Sequence, residues 1–321
     1  MPLPTLAEIE SAAAIVYGAM KPTPEIAWPL LAERCGCTVV VKHENHTPTG
    51  AFKVRGGLVY MHGLCRARPE VKGVIAATRG NHGQSVAFAA RRNGLACTVV
   101  VPHGNSVEKN RAMRGFGAEV VETGHDFQAA LEACEEIARE RGLHMTPSFD
   151  EPLVRGVATY GLELFRAFPD LDTVYVPIGL GSGICGVMAA RDALGLRTAV
   201  VGVVAENANA YALSFEAGRP VATNRSDTLA DGIATRTPNP QAVELIVRGA
   251  ARIVTVTDEQ ILAAMAAYFA DTHNIAEGAG AAPLAALLAE KAAMAGKRVG
   301  LVLSGGNLDR PLYERALAVP A

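Results

Sequence analysis

Eight short runs of β-branched and small apolar residues, mostly followed by longer amphipathic stretches, constrain this chain more than any other feature. The runs are CTVVVKH, GVIAAT, CTVVVP, AEVVETG, TVYVPIG, AVVGVVAE, ARIVTVTD and RVGLVLSGG. They are apolar on both faces, so both faces must be covered, as in a parallel sheet. NHGQSVAFAARRNG, DFQAALEACEEIARERG and EQILAAMAAYFADTH read as covering helices. Strands alternating with helices wind right-handed into an α/β fold. Eight strands also suffice for a closed barrel. Uneven spacing and glycine-rich turns after several strands favour open sheets, where ligands sit at the strands' carboxyl ends. The run AGAAPLAALLAEKAAMAG reads as one tightly packed helix, interrupted early by Pro283.

A chain of 321 residues suits two domains or one large unit. Formal net charge is -2 with both signs mixed, which leaves no electrostatic footprint for nucleic acid. No apolar run reaches the roughly 18 residues of a membrane span. The start, MPLPTLAEIESAA, is acidic where a signal peptide is basic and then apolar, so a cytoplasmic protein is expected. Six cysteines include one close pair, CGC, and no CxxC, and the eight histidines form no HExxH. Neither pattern suits zinc, and no metal site is expected.

Four segments carry candidate chemistry. In TGAFKVRGG, turn residues bracket a single lysine, Lys53. In GVIAATRGNHGQ, a strand ends at Thr78, and Arg79, Gly80, Asn81 and His82 turn into a helix. Free N–H groups at that helix start favour an anion, and Asn81 reads either as a cap or as an amide for a ligand oxygen. In VYVPIGLGSGICG, Gly179, Gly181, Gly183 and Gly186 join a strand to a helix with Ser182 among them, which suits a phosphate. The same loop is literally GxGxxG, with Glu206 twenty residues past Gly186, as in a dinucleotide fold. In VGLVLSGGN, Ser304 closes a buried strand, either in a plain glycine turn or offering its hydroxyl to a ring nitrogen.

Taken together, in this order, the segments resemble the fold type II pyridoxal-phosphate enzymes, tryptophan synthase β-like. Within them the chain looks like the threonine/serine dehydratase and serine racemase group. The family's S-F-K-x-R-G stands here as Ala51-Phe52-Lys53-Val54-Arg55-Gly56, and S-x-G-N-H-x-Q as Thr78 to Gln84. The phosphate loop is Gly179-Leu180-Gly181-Ser182-Gly183, and S-G-G-N is complete at Ser304 to Asn307. LADGIATRTPNP and EGAGAAPLAAL also look like family segments, and the likeness runs from about Lys42 to Asn307.

The resemblance implies two open αβα domains with pyridoxal 5'-phosphate between them. Residues 1–54 plus 152–321 form the larger and 55–151 the smaller. It implies that Lys53 forms the Schiff base with the cofactor and acts as the base, with Phe52 against the pyridine ring. Asn81 bonds the ring's 3-oxygen, Gly179 to Gly183 hold the phosphate, and Ser304 meets the ring nitrogen. Thr78, Gly80, Asn81 and His82 grip the substrate's carboxylate, with Arg79 beside them. The reaction is dehydration and deamination of a small 3-hydroxy amino acid to a 2-oxo acid and ammonia, in a homodimer. Other classes remain: a non-catalytic cofactor-binding regulator, which intact Lys53 argues against, and an NAD-dependent oxidoreductase, which explains only the middle loop.

Several positions depart from the family pattern. Arg79 stands where dehydratases carry a small residue and serine racemase a serine, its opposite-face acid/base. Arginine does not readily release a proton, so little racemisation is expected. Arg79 either meets a second carboxylate, as in 3-hydroxyaspartate, or points to solvent. The family's G-Q-G-T reads Gly156-Val157-Ala158-Thr159, which suggests a more apolar pocket and a substrate such as phenylserine. The family's cation site would fall on Glu206, Ala210 and Ala212, one acidic ligand short. The chain ends fourteen residues after Asn307, with no effector-binding domain expected.

Overall fold

Each of the eight apolar runs forms a strand in the structure, a computed structural model that describes residues 1–319. In chain order the strands are β1 (Glu25–Ala27), β2 (Thr38–His43), β3 (Gly73–Ala77), β4 (Ala96–Val101) and β5 (Glu119–Glu122). There follow β6 (His144–Met145), β7 (Thr173–Pro177), β8 (Ala199–Ala205), β9 (Arg252–Val256) and β10 (Arg298–Leu303). They build two open sheets, ordered β1-β2-β10-β7-β8-β9 and β5-β4-β3-β6. All pairs are parallel except β1 on β2. Interior strands β3 and β7 are buried at every residue, while β5 at an edge is buried at none.

Period-two alternation sorts each sheet's side chains onto two helical layers. In the larger sheet, Val39, Val41, Leu301 and Leu303 pack with Met265 and Leu284 on one side. Val40, Val174 and Val302 pack with Phe165 and Val187 on the other. In the smaller sheet, Val74, Ala76 and Val99 meet Val86 and Met113, and Ile75 and Val100 meet Ala130 and Cys134. The helix Leu6–Tyr17, closed by a Thr5–Glu8 capping box, spans the join. Its Ile9 belongs to the larger core, and its Ala12 and Val16 to the smaller.

Three helices, Lys53–Ala67, Glu151–Ala167 and Ser182–Ala193, pack backbone to backbone between the sheets. A Cβ on Gly156 would lie 2.4 Å from the Arg55 carbonyl oxygen, and one on Gly186 2.9 Å from the Ala158 nitrogen. Val157 fills this junction, touching the faces of Gly56 and Gly186, and does not reach the cavity described below. The more apolar pocket expected from Val157 is therefore not built by that residue. Beside the junction lies a buried ion network. Arg55 donates to Glu44 (2.7 Å) and Glu163 (2.6 Å), and Lys42 to Glu25 (2.5 Å) and Glu163.

The helix Gly278–Ala289 runs through Pro283 rather than being interrupted by it, and stops at Glu290 before a short turn, Lys291–Met294. So early in the helix, the missing N–H leaves one carbonyl, that of Ala279, without its donor.

Candidate functional site

Four strand-to-helix segments meet in one cleft between the sheets. The first brings Lys53. The Thr47 hydroxyl donates to the Ala51 carbonyl (2.8 Å) and accepts from the Ala51 N–H (2.9 Å). Ala51 bridges to Gly305, and the Phe52 N–H donates to the Ser304 carbonyl (3.0 Å). That clamp lays Lys53, the first residue of its helix, against the end of β10. The Ser85 hydroxyl secures the Lys53 carbonyl at 2.7 Å. The Lys53 amine has no ion pair among the described residues and lies 5.1 Å from the centre of the Phe52 ring. Phe52 in turn stands edge-on to Tyr160. Desolvation lowers the Lys53 pKa to about 8, with Glu277 pulling it back up.

The second segment is a glycine cradle at the end of β7. Gly181 takes φ +100, a left-handed conformation that glycine adopts without strain, and caps the helix beginning at Ser182. The Thr235 hydroxyl holds the Gly179 carbonyl (3.1 Å), and Tyr211 holds that of Leu180 (2.9 Å). In a trans peptide the N–H opposes the carbonyl, so the N–H groups of Leu180 and Gly181 turn the other way. With the free amides of the helix start they form an anion site.

The third segment follows β3. The Gly80 N–H donates to the Thr78 hydroxyl (3.0 Å), so that amide is not free for a carboxylate. The free amides of the helix Asn81–Arg92 begin at Asn81. His82 is buried with its Nε2 unpartnered among the described residues, and burial together with Lys53 pushes its pKa down to about 3, leaving it neutral. Arg79 is exposed at the mouth and forms no ion pair among the described residues. Last, Ser304 at the end of β10 is buried, and its carbonyl, not its hydroxyl, takes the Phe52 bond.

Every expected site residue lies on this cleft. Lys53, Thr78, Arg79, Gly80, Asn81, His82, Gly179 and Leu180 line a cavity of about 450 Å³. Phe52, Gly181, Ser182, Gly183 and Ser304 line a narrower pocket that adjoins it through Lys53, Asn81, Gly179 and Leu180. Glu206, the acid that a dinucleotide reading needs, lines neither. Among the described residues no cluster of His, Cys, Asp or Glu is arranged to hold a metal ion. Among them, too, no helix is long and apolar enough to cross a membrane.

Three site residues escaped sequence reasoning. Glu277 lines the narrow pocket and accepts from Asn81 Nδ2 at 2.7 Å. Lys109 and Asp231 line the larger cavity and pair at 2.5 Å. Asp231 and Glu277 lie in segments that resemble family sequence, whereas nothing in the local pattern marks Lys109. The cavity's apolar wall comes from Phe127 and Leu131, which had no local signal either.

The donor set fits a phosphorylated heterocyclic aldehyde: an amine that reaches neutrality at moderate pH, amides for a phosphate, and a carboxamide and a hydroxyl for ring heteroatoms. Comparison with known proteins agrees. A family profile described as pyridoxal-phosphate dependent enzyme matches residues 16–305. An L-threonine ammonia-lyase of Geobacter sulfurreducens is 40% identical over 280 residues, 87% of this chain and 69% of that protein. Another, from Thermotoga maritima, is 34% identical over 314 residues, covering 98% and 78%. A pyridoxal 5'-phosphate-dependent aspartate racemase superposes with a TM-score of 0.90 at 30% identity, covering 96% and 98% of the two chains.

Proposed function

This chain belongs to the pyridoxal-phosphate dependent enzymes, and from that premise we propose which residues carry its reaction and which substrate it prefers. It has the fold type II architecture and is a pyridoxal-phosphate-dependent ammonia-lyase. It dehydrates and deaminates threonine- or serine-like 3-hydroxy amino acids to a 2-oxo acid and ammonia. The observation that carries the assignment of residues is the Lys53 amine. It has no ion pair among the described residues, is shifted towards neutrality, and shares its pocket with Asn81, Ser304 and the glycine cradle.

When bound, the cofactor supplies an electron sink for the charge left on Cα after its proton departs. Lys53 Nζ would hold the cofactor aldehyde, and its neutral amine would be placed to accept a proton from the substrate's Cα. Its lowered pKa gives a useful neutral fraction near pH 8. Leu180 to Gly183 would hold the phosphate on backbone amides, and Asn81 would offer a carboxamide to the ring's 3-oxygen. Ser304 would present an uncharged hydroxyl to the ring nitrogen, which would keep the sink mild and favour β-elimination over transamination. Amides at the start of the Asn81 helix, the Thr78 hydroxyl and neutral His82 hold the substrate carboxylate. Residues 55–151 act as one domain, and 1–54 with 152–321 as the other, hinged at the glycine-lined helix junction.

L-Threonine is the preferred substrate on this reading, as the names of the relatives suggest. A second reading, 3-hydroxyaspartate, is favoured by Arg79 and Arg236, two exposed guanidiniums at the mouth of the cavity without ion pairs among the described residues. Phenylserine loses its argument with Val157, although Phe127 and Leu131 leave room for an apolar group. A cytoplasmic homodimer completes the proposal, with Phe269 and Ile275 still exposed for a second copy.

The test is the visible spectrum of the protein before and after L-threonine, L-serine, 3-hydroxyaspartate and phenylserine, with Lys53→Ala as control. A cofactor band lost in the control and perturbed by one substrate, with 2-oxo acid and ammonia released, supports the reading. A protein that cannot be reconstituted with the cofactor sinks it.

A further inference from the structure

Glu277 is buried at the edge of the narrow pocket, and two neighbours tie it to Asn81. Asn81 Nδ2 donates to Glu277 Oε1 at 2.7 Å, and Asn307 Nδ2 donates to Asn81 Oδ1 at 2.9 Å. Asn307 Nδ2 also donates to the Thr49 carbonyl at 2.7 Å, which fixes its own amide. A carboxamide nitrogen cannot accept, so this chain allows Asn81 one orientation. One Nδ2 hydrogen is committed to Glu277, and the other remains for a ligand.

Glu277 Oε2 is buried without a hydrogen bond among the described residues. The cation nearest to it is Lys109, 3.7 Å away and itself bound to Asp231 at 2.5 Å. Lys109 reaches over from the helix Val107–Gly115, on the smaller-sheet side, whereas Asp231 and Glu277 belong to the larger. Two glycines clear the way. A Cβ on Gly80 would lie 2.4 Å from Lys109 Cδ, and one on Gly305 would lie 2.5 Å from Glu277 Oε1. The groups that set the charge of Glu277 are therefore Lys109, Asp231, Asn81 and Lys53. Burial pushes its pKa up to about 7, with Lys109, Asn81 and Lys53 acting downward and Asp231 upward.

We propose that Glu277 is a positioning carboxylate: its charge, set across the cleft by Lys109 and Asp231, governs how Asn81 presents its amide to the cofactor. The inference rests on the cofactor assignment above. Ionised Glu277 holds the Asn81 amide firmly and places a negative charge at the edge of the narrow pocket. Protonated Glu277 accepts more weakly and removes that charge. The bound chromophore then reports the change.

The experiment is a pH titration of the visible spectrum of the reconstituted protein, with cofactor affinity followed by fluorescence quenching at each pH. Glu277→Gln keeps an oxygen for Asn81 and removes the charge, and Lys109→Met and Asp231→Asn change its neighbours. The wild type is expected to show a spectral transition near neutral pH that Glu277→Gln lacks. Lys109→Met should move the midpoint up and Asp231→Asn should move it down, each by about one pH unit, the scale of one nearby charge. A purely structural Glu277 predicts the opposite: a transition retained in Glu277→Gln, or midpoints unmoved in both neighbours, overturns the proposal. If Glu277→Gln fails to fold, the two opposed shifts decide alone. A wild type with no cofactor band refutes the cofactor assignment instead.

Discussion

Lys53 pays for its chemistry with stability. In the unfolded chain its pKa is the ordinary 10.5, and in the folded apoprotein it is about 8. Below pH 8 both states carry the proton, and the folded state bears a poorly solvated charge. Between about 8 and 10.5 the unfolded chain binds a proton that the folded chain does not, so stability rises with pH. Apoprotein Lys53→Ala should therefore melt a few degrees above wild-type apoprotein at pH 7, and after reconstitution with the cofactor it should show no lyase activity. The gap should close as pH rises through that window, and calorimetry of the two apoproteins across it is the check. Arg79 makes a separate prediction. Arg79→Ser puts a hydroxyl able to exchange a proton at the position where serine racemase carries one. Racemisation of L-serine should then rise above background, measured as D-serine formed per pyruvate. An unchanged ratio would remove Arg79 from the control of reaction outcome. Lys53, Asn81 and Ser304 were legible because each sits at a turn beside a recognisable strand or helix. Glu277 and Lys109 were not, since their meaning lies in contacts between segments more than a hundred residues apart in the chain.

At the scale of elements, the lysine helix owes its placement to the ion network beside it. Arg55, two residues after Lys53, is wholly buried between Glu44 and Glu163. Burial pushes Glu163 upward, yet Arg55 and Lys42 hold its carboxyl below the ordinary value. Its contribution to stability is therefore full above the ordinary glutamate range and lost as pH falls through the depressed value. Arg55→Met leaves two buried carboxylates short of a cation, which costs about 3–5 kcal/mol. The deficit should narrow as pH falls, because the wild type loses its ion network in acid while the mutant's unpaired carboxylates take up protons, and denaturant melts at neutral and acidic pH read both effects. Equal melts would mean that the carboxylates find other partners. Sequence pattern located eight strands because each was long enough to show an apolar run. It missed β1 and β6, of three and two residues, which are too short to carry a periodicity. It placed Val157 in the pocket because motif position says nothing about which face of a helix points inward. Helix packing at Gly56 and Gly186 decides that.

For the whole molecule, the two sheets are joined very differently on the two sides of the site. On one side the three helices meet through glycine, where backbone contacts resist sliding. On the other side the contacts are polar and few. Ser106 donates to Asp309 at 2.6 Å, the Glu108 N–H donates to the same oxygen at 3.2 Å, and Lys109 bonds to Asp231. Asp309 thus lies at the amino end of the helix Val107–Gly115, where a carboxylate also favours the helix dipole. A junction locked by backbone contacts and facing a polar clasp would let the clasp side open when substrate enters, as in a hinged closure. Asp309→Ala removes the acceptor of two of these bonds without touching the cavity lining. The amides of Val107–Gly115 should then exchange hydrogen faster, and KM for the amino acid should rise several-fold with kcat nearly unchanged. Saturating substrate should suppress the extra exchange, because a filled cleft favours the closed state. If exchange in that helix is unaltered, the clasp is not the moving part, and the opening must lie at the loop that carries Arg79.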